Sequence, residues 1–211
     1  MQTSTPIVMD EAVAAGRREE RKAQNRAKLL AGARRVFAEK GLGAASARDI
    51  VRETDLATGT FYNYFDDKEQ VFRALFDEVG ERARAAVREQ RHTPGLSLEE
   101  RLEEAYRVYF ELAIEERELF AVLRRNADLV LAMPEEDWFE VGIAELLEDL
   151  REWAAAGELP DVDLDYLATA MVGVGFQVAT HLVDRPFPDA AAAARFCTRL
   201  VLDGVRGLEL T

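Results

Sequence analysis

Residues Ser46–Lys68 read S-A-R-D-I-V-R-E-T-D-L-A-T-G-T-F-Y-N-Y-F-D-D-K: two short helices joined by a tight turn, with the start of a third behind them. Ser46 is placed to cap the first. Asp49, three residues on, completes a capping-box pattern with Asp where Glu or Gln is usual. Ile50 and Val51 give this helix a small apolar face. Thr54-Asp55 breaks the pattern. A sharp turn between helices often needs a residue at positive φ, and Asp tolerates that better than most side chains. Leu56 tucks under the turn. Thr58 to Tyr64 is the second helix, with Phe61 and Phe65 facing inward at i and i+4. Thr58, Gly59, Thr60, Tyr62, Asn63 and Tyr64 are left to face out. A short helix presenting small polar and aromatic groups is what a DNA major groove accepts.

Upstream, a helix is expected from Arg17 to about Lys40, with an apolar stripe of Leu29, Leu30, Ala33, Val36 and Phe37. Gly41 suits its C′ position. Arg17, Arg18, Arg21, Lys22, Arg26 and Lys28 open this helix. Cations there oppose the helix dipole, so the cluster either tracks DNA phosphates or is a solvated helix start. Residues 1–16 show no sustained periodicity and read as a flexible tail. Downstream, Asp66-Asp67 sits where carboxylates favour a helix start. Val71, Phe72, Leu75, Phe76 and Val79 carry that helix to about Glu89. His92-Thr93-Pro94-Gly95 stops it. The expected plan is a head over 17–66, a connecting helix over 67–92 and a body over 95–211.

The run T-G-T-F-Y-N-Y-F-x-x-K-E from Thr58, together with A-R-R-V-F-A-E-K-G around Phe37 and Gly41, resembles the helix-turn-helix of the TetR family. The likeness covers about Ala27 to Leu75. The chain departs from that pattern at Thr54-Asp55, where Ala-Gly is usual, and at Ala57, where Ser or Thr is frequent. Thr58 is then the expected cap of the third helix. The resemblance implies a three-helix DNA-binding head, a pocket for a small molecule among the body helices, and a Lys68 that touches backbone phosphate. On this reading Tyr62, Tyr64 and Arg48 also meet phosphate. Thr58, Thr60 and Asn63 reach base edges, and Gly59 permits close approach.

The body reads as helices throughout, giving an all-α chain of about nine. A capping box at Ser97/Glu100 opens a helix to about Glu115. Segments from Arg117 to about Met133, Glu135 to about Ala156, Asp163 to about Val183 and Asp189 to about Gly207 follow. The last two are the most apolar. Gly173 and Gly175 allow close approach by another backbone, and the final helix offers Phe196, Cys197, Leu200, Val201, Val205 and Leu208. Two such helices suit a twofold four-helix interface, as in TetR-like dimers; the alternative is a monomeric core with glycine for local packing. Aromatics lie near polar groups in this part of the chain. Tyr106, Tyr109, Phe110, Phe120 and Leu123 are candidates to line an apolar pocket. So are Trp138, Phe139, Phe176, Gln177 and His181. Plain core packing is the alternative for each. His181, one turn after Gln177, either anchors a ligand or caps carbonyls.

Of the 211 residues, 48% are hydrophobic, enough for a sizeable core in one or two domains. The net charge of −13 counts against a nucleic-acid binder until the chain is divided. Residues 1–92 hold 17 Lys and Arg against 15 Asp and Glu, and residues 93–211 hold 10 against 25. Within 17–40 there are nine basic residues and three acidic ones. A basic, phosphate-facing first part and an acidic body follow. No stretch approaches the length of an uncharged membrane span. The first residues lack the basic-then-apolar layout of a signal peptide. One cysteine cannot form an intrachain disulfide, so a reducing cytoplasm is expected. His92 and His181 stand far apart, no Cys/His cluster spaces like a zinc site, and no phosphate-binding fingerprint follows a strand. Neither an enzyme nor a bound cofactor or metal is expected. The expectation is a homodimer on near-palindromic double-stranded DNA, released by a small apolar or aromatic effector. A constitutive regulator or an activator without an effector is the other reading.

Overall fold

The computed structural model describes the backbone of residues 7–125 and 138–208, and the side chains of 16–124 and 140–207. The described residues form nine helices and no strand: α1 (Ile7–Ala44), α2 (Ala47–Arg52), α3 (Thr58–Phe61), α4 (Lys68–Arg91), α5 (Leu98–Glu115), α6 (Arg117–Arg125), α7 (Trp138–Ala155), α8 (Leu164–Leu182) and α9 (Ala190–Leu208). The chain divides into two compact units, Met1–Leu75 and Phe76–Thr211. The all-α class expected from the sequence is the class found.

In the first unit, α1 begins at Ile7, well before the expected start at Arg17. The tail assignment is corrected for residues 7–16. Their sequence, I-V-M-D-E-A-V-A-A-G, is rich in strong helix formers and places Asp10 and Glu11 early in the helix. Helical φ/ψ breaks at Gly41, whose φ of +75° only glycine adopts freely. The apolar stripe is buried as expected, with Leu29, Ala33 and Phe37 at the centre. Gly32 faces α2 at close range: a Cβ there would lie 2.9 Å from the Ile50 carbonyl oxygen. Phe37 meets Phe72 of α4 edge-on at 5.9 Å between ring centroids.

The expected capping box closes α2. The Asp49 N–H donates to Ser46 Oγ at 3.2 Å, and the Ser46 N–H donates to Asp49 Oδ2 at 3.1 Å. The turn after α2 is built by Thr54. Its hydroxyl donates to the Val51 carbonyl at 2.8 Å and accepts from the Leu56 N–H at 3.2 Å. Ala57, not Thr58, occupies the N-cap of α3 and makes no side-chain cap. The coil there is held by i→i−3 bonds: Thr60 N–H to Ala57 O at 2.8 Å, and Tyr64 N–H to Phe61 O at 2.9 Å. That tighter winding shortens the regular helix to Thr58–Phe61 and carries the chain to Tyr64 as turn.

The second unit packs around Leu146, Leu150 and Trp153 of α7, Ala168 and Met171 of α8, Leu102 of α5 and Leu202 of α9. The Ser97/Glu100 capping box forms as expected, with the Ser97 N–H donating to Glu100 Oε2 at 2.8 Å. Asp163 caps α8 and Gly157 ends α7 at φ +75°. One expectation is corrected. Gly175 is buried inside its own protomer, where a Cβ would stand 3.1 Å from Tyr106 Cε1. Gly173, half a turn away, is the exposed glycine of this helix. The expected helix beyond Arg125, to Met133, lies outside the described residues.

Candidate nucleic-acid interface and body cavity

Buried Phe61 and Phe65, 6.0 Å apart, anchor α3 from below. Their burial leaves Thr58, Gly59 and Asn63 exposed and Thr60 half-buried. Tyr62 is 62% exposed although its ring meets Phe61 edge-on. Tyr64 is half-buried and its hydroxyl accepts from Asn25 Nδ2 at 3.2 Å. Arg48 is exposed on α2. Thr58, Gly59, Tyr62 and Asn63 therefore share one accessible stretch, with no Cβ at Gly59 and nothing within 4 Å of where one would be.

Lys68 behaves differently from its expected role. Its Nζ donates to the carbonyls of Leu42 at 2.8 Å, Gly43 at 2.9 Å and Ala45 at 3.1 Å. An ammonium has three N–H donors, and all three are taken. Lys68 therefore acts here as a clamp on the end of α1 rather than as a free phosphate ligand. Lys40 sits 2.8 Å from Asp49. That contact, with the Ser46 hydroxyl, holds the Asp49 carboxyl down at about 2.

The second unit holds an apolar cavity of about 110 Å³. Tyr106 and Tyr109 of α5 line it, with Gly175 and Phe176 of α8. Gly80, Ala83 and Val87 of α4 supply another wall, and Gly142 and Leu146 of α7 a third. Burial pushes both phenol pKa values upward, so both hydroxyls stay neutral. Tyr106 donates to the Met171 carbonyl at 3.1 Å. Arg84, Arg91 and Glu145 are the charged members of the lining. Arg91 is itself buried, with Nε 2.6 Å from Asp149 Oδ2; Asp149 Oδ1 lies 3.1 Å from His92 Nε2. Burial raises the Asp149 pKa, and the Arg91 guanidinium beside it opposes that shift.

Of the pocket residues expected from sequence, Tyr106, Tyr109 and Phe176 meet at this cavity. Phe110, Phe120 and Leu123 are buried core instead, with Phe110 stacked on Tyr106 at 5.8 Å. Gln177 and His181 line a separate surface depression with Phe196, and His181 Nδ1 lies 3.1 Å from the Gln177 carbonyl. The side chains of Trp138 and Phe139 lie outside the described residues. Cys197 is buried, and burial pushes its thiol up to about 11. The α4 wall was missed. Its signal was available: Gly80, Ala83 and Val87 recur at three- and four-residue spacing, which places them on one face.

Residues 29–75 match the model of bacterial regulatory proteins of the tetR family. The chain is 38% identical over 77 residues to the transcriptional repressor AcnR of Corynebacterium glutamicum, covering 36% of this chain and 39% of that protein. It is 36% identical over 64 residues to the transcriptional regulator UidR of Escherichia coli K12, covering 30% and 33% of the two. The chain thus spans little more than a third of the length of the curated relatives it matches. Likeness of fold runs further. The fatty acid degradation regulator FadR of Bacillus halodurans superimposes with a TM-score of 0.73 at 25% identity, over 86% of this chain and 96% of that one. A TetR-family regulator of Syntrophomonas wolfei gives 0.76 at 20% identity, over 89% and 97%. Residues 29–75 thus carry the helix-turn-helix of the tetR family, and the all-helical fold of the described residues resembles that of TetR-family regulators.

Proposed function

We propose that this chain is a cytoplasmic, DNA-binding transcriptional regulator, a repressor, that acts as a twofold homodimer and leaves its operator when a small apolar compound enters the body. The observation that carries the DNA-binding reading is α3 itself. Buried Phe61 and Phe65 fix it while Thr58, Gly59, Tyr62 and Asn63 stay accessible. Thr58, Thr60 and Asn63 have the short polar groups that reach base edges, and Arg48, Tyr62 and Tyr64 suit phosphate. AcnR, related over this head region, is named a repressor.

Dimerisation is supported by large apolar side chains left exposed on the last two helices: Tyr166 on α8, Phe196 and Leu200 on α9. A dimer places two α3 helices on half-sites about 34–36 Å apart, or a multiple, and so calls for a near-palindromic operator. Effector control is supported by the cavity and by the residue range of α4. Phe72 and Leu75 of that helix are core residues of the first unit, and Gly80, Ala83 and Val87 line the cavity of the second. A compound favouring one state of the body weakens DNA binding by the same factor that DNA weakens its own binding. A hundredfold release requires about 2.7 kcal/mol. The Bacillus halodurans protein of similar fold is named a fatty acid degradation regulator, so acyl compounds are the first class to screen.

One observation favours a constitutive regulator instead. The cavity, about 110 Å³, is small beside the roughly 300–1,000 Å³ of ordinary ligand sites. Selection of duplexes from a random pool, followed by anisotropy titration with and without acyl and aromatic compounds, tests both parts. Salt-sensitive binding to a palindrome, weakened by one compound class, is expected. No binding to any duplex refutes the whole reading. Binding that no compound weakens leaves the constitutive one.

A further inference from the structure

The cavity of the second unit leaves two of its polar side chains without partners. Three of the lining residues are charged: Arg84, Arg91 and Glu145. Arg91 is held by Asp149, with Nε 2.6 Å from Oδ2. Glu145 is held by Arg88 at 3.2 Å. Arg84 is half-buried on the same face of α4, and among the residues whose side chains are described no carboxylate lies within ion-pair distance of it. The charges of Arg91 and Glu145 are thus balanced by their own partners, and Arg84 sets the sign of the site. Two phenols also line it. Tyr106 spends its proton on the Met171 carbonyl at 3.1 Å. The ring of Tyr109 packs against Phe110 and Phe120, but its hydroxyl makes no hydrogen bond among the described residues. Burial keeps that phenol protonated, so it remains a donor. The other side chains of the lining are apolar.

We infer that the effector is a small monocarboxylate, its anionic head on Arg84 and its apolar body in the cavity. The inference rests on the effector reading above and narrows it. A guanidinium offers donors only, and the neutral Tyr109 hydroxyl offers one more. A wholly apolar compound would cover both groups and satisfy neither, which costs free energy. A carboxylate satisfies both: its two oxygens match the planar guanidinium and retain further acceptor sites for an O–H. Both donors line one cavity of about 110 Å³, so a compact ligand reaches both. Size restricts the class further. A cavity of about 150 Å³ holds benzene, so about 110 Å³ limits the apolar body to about four to six carbons. Short-chain and monocyclic carboxylates fit this description, and long-chain acyl compounds do not.

The test is calorimetric titration of the full chain, at neutral pH, with valerate, hexanoate and benzoate, each beside its primary amide. Acid and amide share a shape and differ in charge. At least one acid should bind at least about tenfold more tightly than its amide. Arg84→Met keeps the apolar stem of the side chain and removes its donors, and should bring that ratio close to one. Tyr109→Phe removes one hydroxyl and should weaken the same acid by about tenfold. Melting followed by tryptophan fluorescence checks that both variants fold, and the acid-to-amide ratio of the parent stands without them. Amides that bind as tightly as their acids, or an acid whose affinity neither variant lowers, overturn the inference. Tighter binding of dodecanoate than of all three acids also overturns it. If neutral compounds bind and weaken DNA binding as well as the acids do, the inference falls and the effector reading stands. If no acid, amide or hydrocarbon binds the protein, both fall together.

Discussion

Replacing Lys68 with methionine keeps the length of the side chain and removes its three donors. The ammonium now bonds the carbonyls of Leu42, Gly43 and Ala45 at 2.8, 2.9 and 3.1 Å. Hydrogen bonds to a charged group contribute about 1.5–3 kcal/mol each when buried. The Lys68 side chain is 22% exposed and the bond to Gly43 lies at the surface, so water recovers part of the loss. The three bonds also share one ammonium and are not additive. A net loss of about 2–3 kcal/mol follows for the first unit. A unit of this size shifts its melting point by about 4–8 °C per kcal/mol, so the expected fall is on the order of 10 °C or more. The chain's two tryptophans, Trp138 and Trp153, both lie in the second unit. Tryptophan fluorescence therefore follows the body, while far-ultraviolet circular dichroism follows both units. The expected result is an early dichroism transition with an unmoved fluorescence transition, and an unchanged salt slope for DNA at a temperature where the head is folded. A stability change below about 0.5 kcal/mol with a slope lower by about 2 in the dimer would refute the clamp and return Lys68 to the phosphates.

Four further outcomes are expected. Gly175→Ala forces the Tyr106 ring to shift, because the added Cβ stands 3.1 Å from it; it should alter the uptake of apolar compounds while light scattering still reports the parent's oligomer, and a lost dimer would contradict the buried placement. Phe196→Glu with Leu200→Glu, on the exposed face of α9, should yield a monomer in light scattering, and a surviving dimer would move the interface elsewhere. Asp149→Asn leaves Arg91 buried beside a neutral group and should cost about 3–5 kcal/mol, followed by Trp153 fluorescence; replacing both partners with apolar residues should recover most of that loss. The Asp49 pKa is depressed from 3.8 to about 2, so its contribution is whole above the unfolded value and fades as pH falls through about 2. Asp49→Asn should therefore make the head less sensitive to acid between about pH 4 and pH 2, and parallel acid melts for parent and variant would show that the cap contributes nothing.

What was legible in the sequence was local. A cap is decided by residues three apart, so the Ser46/Asp49 and Ser97/Glu100 boxes were readable, as was the stop at Gly41. Phe61 and Phe65 were readable because one helix turn fixes their shared face. What failed depended on partners far along the chain. Lys68 reaches carbonyls 23 to 26 residues away, and no spacing rule encodes that. Gly175 lies on a helix apolar on several sides, so periodicity could not tell whether its close neighbour was Tyr106 or another protomer. The early start of α1 escaped because helix formers without an apolar stripe give no period to detect. The pocket was half seen: aromatic residues drew attention to α5 and α8, while the small residues of α4 that make room drew none. The inter-helix turn was assigned to its Thr-Asp pair, but the hydroxyl of Thr54 closes it while Asp55 pairs with Lys28.

The central claim is that α3 meets the major groove in a twofold complex. Footprinting of the parent chain on a duplex it has selected addresses this most directly, with Thr60→Ala and Asn63→Ala as controls. Two protected major-groove patches, about one helical turn or a multiple apart and weakened at single base positions by the controls, are the result predicted here. A selected pool with no common sequence, or protection that neither control alters, would contradict it.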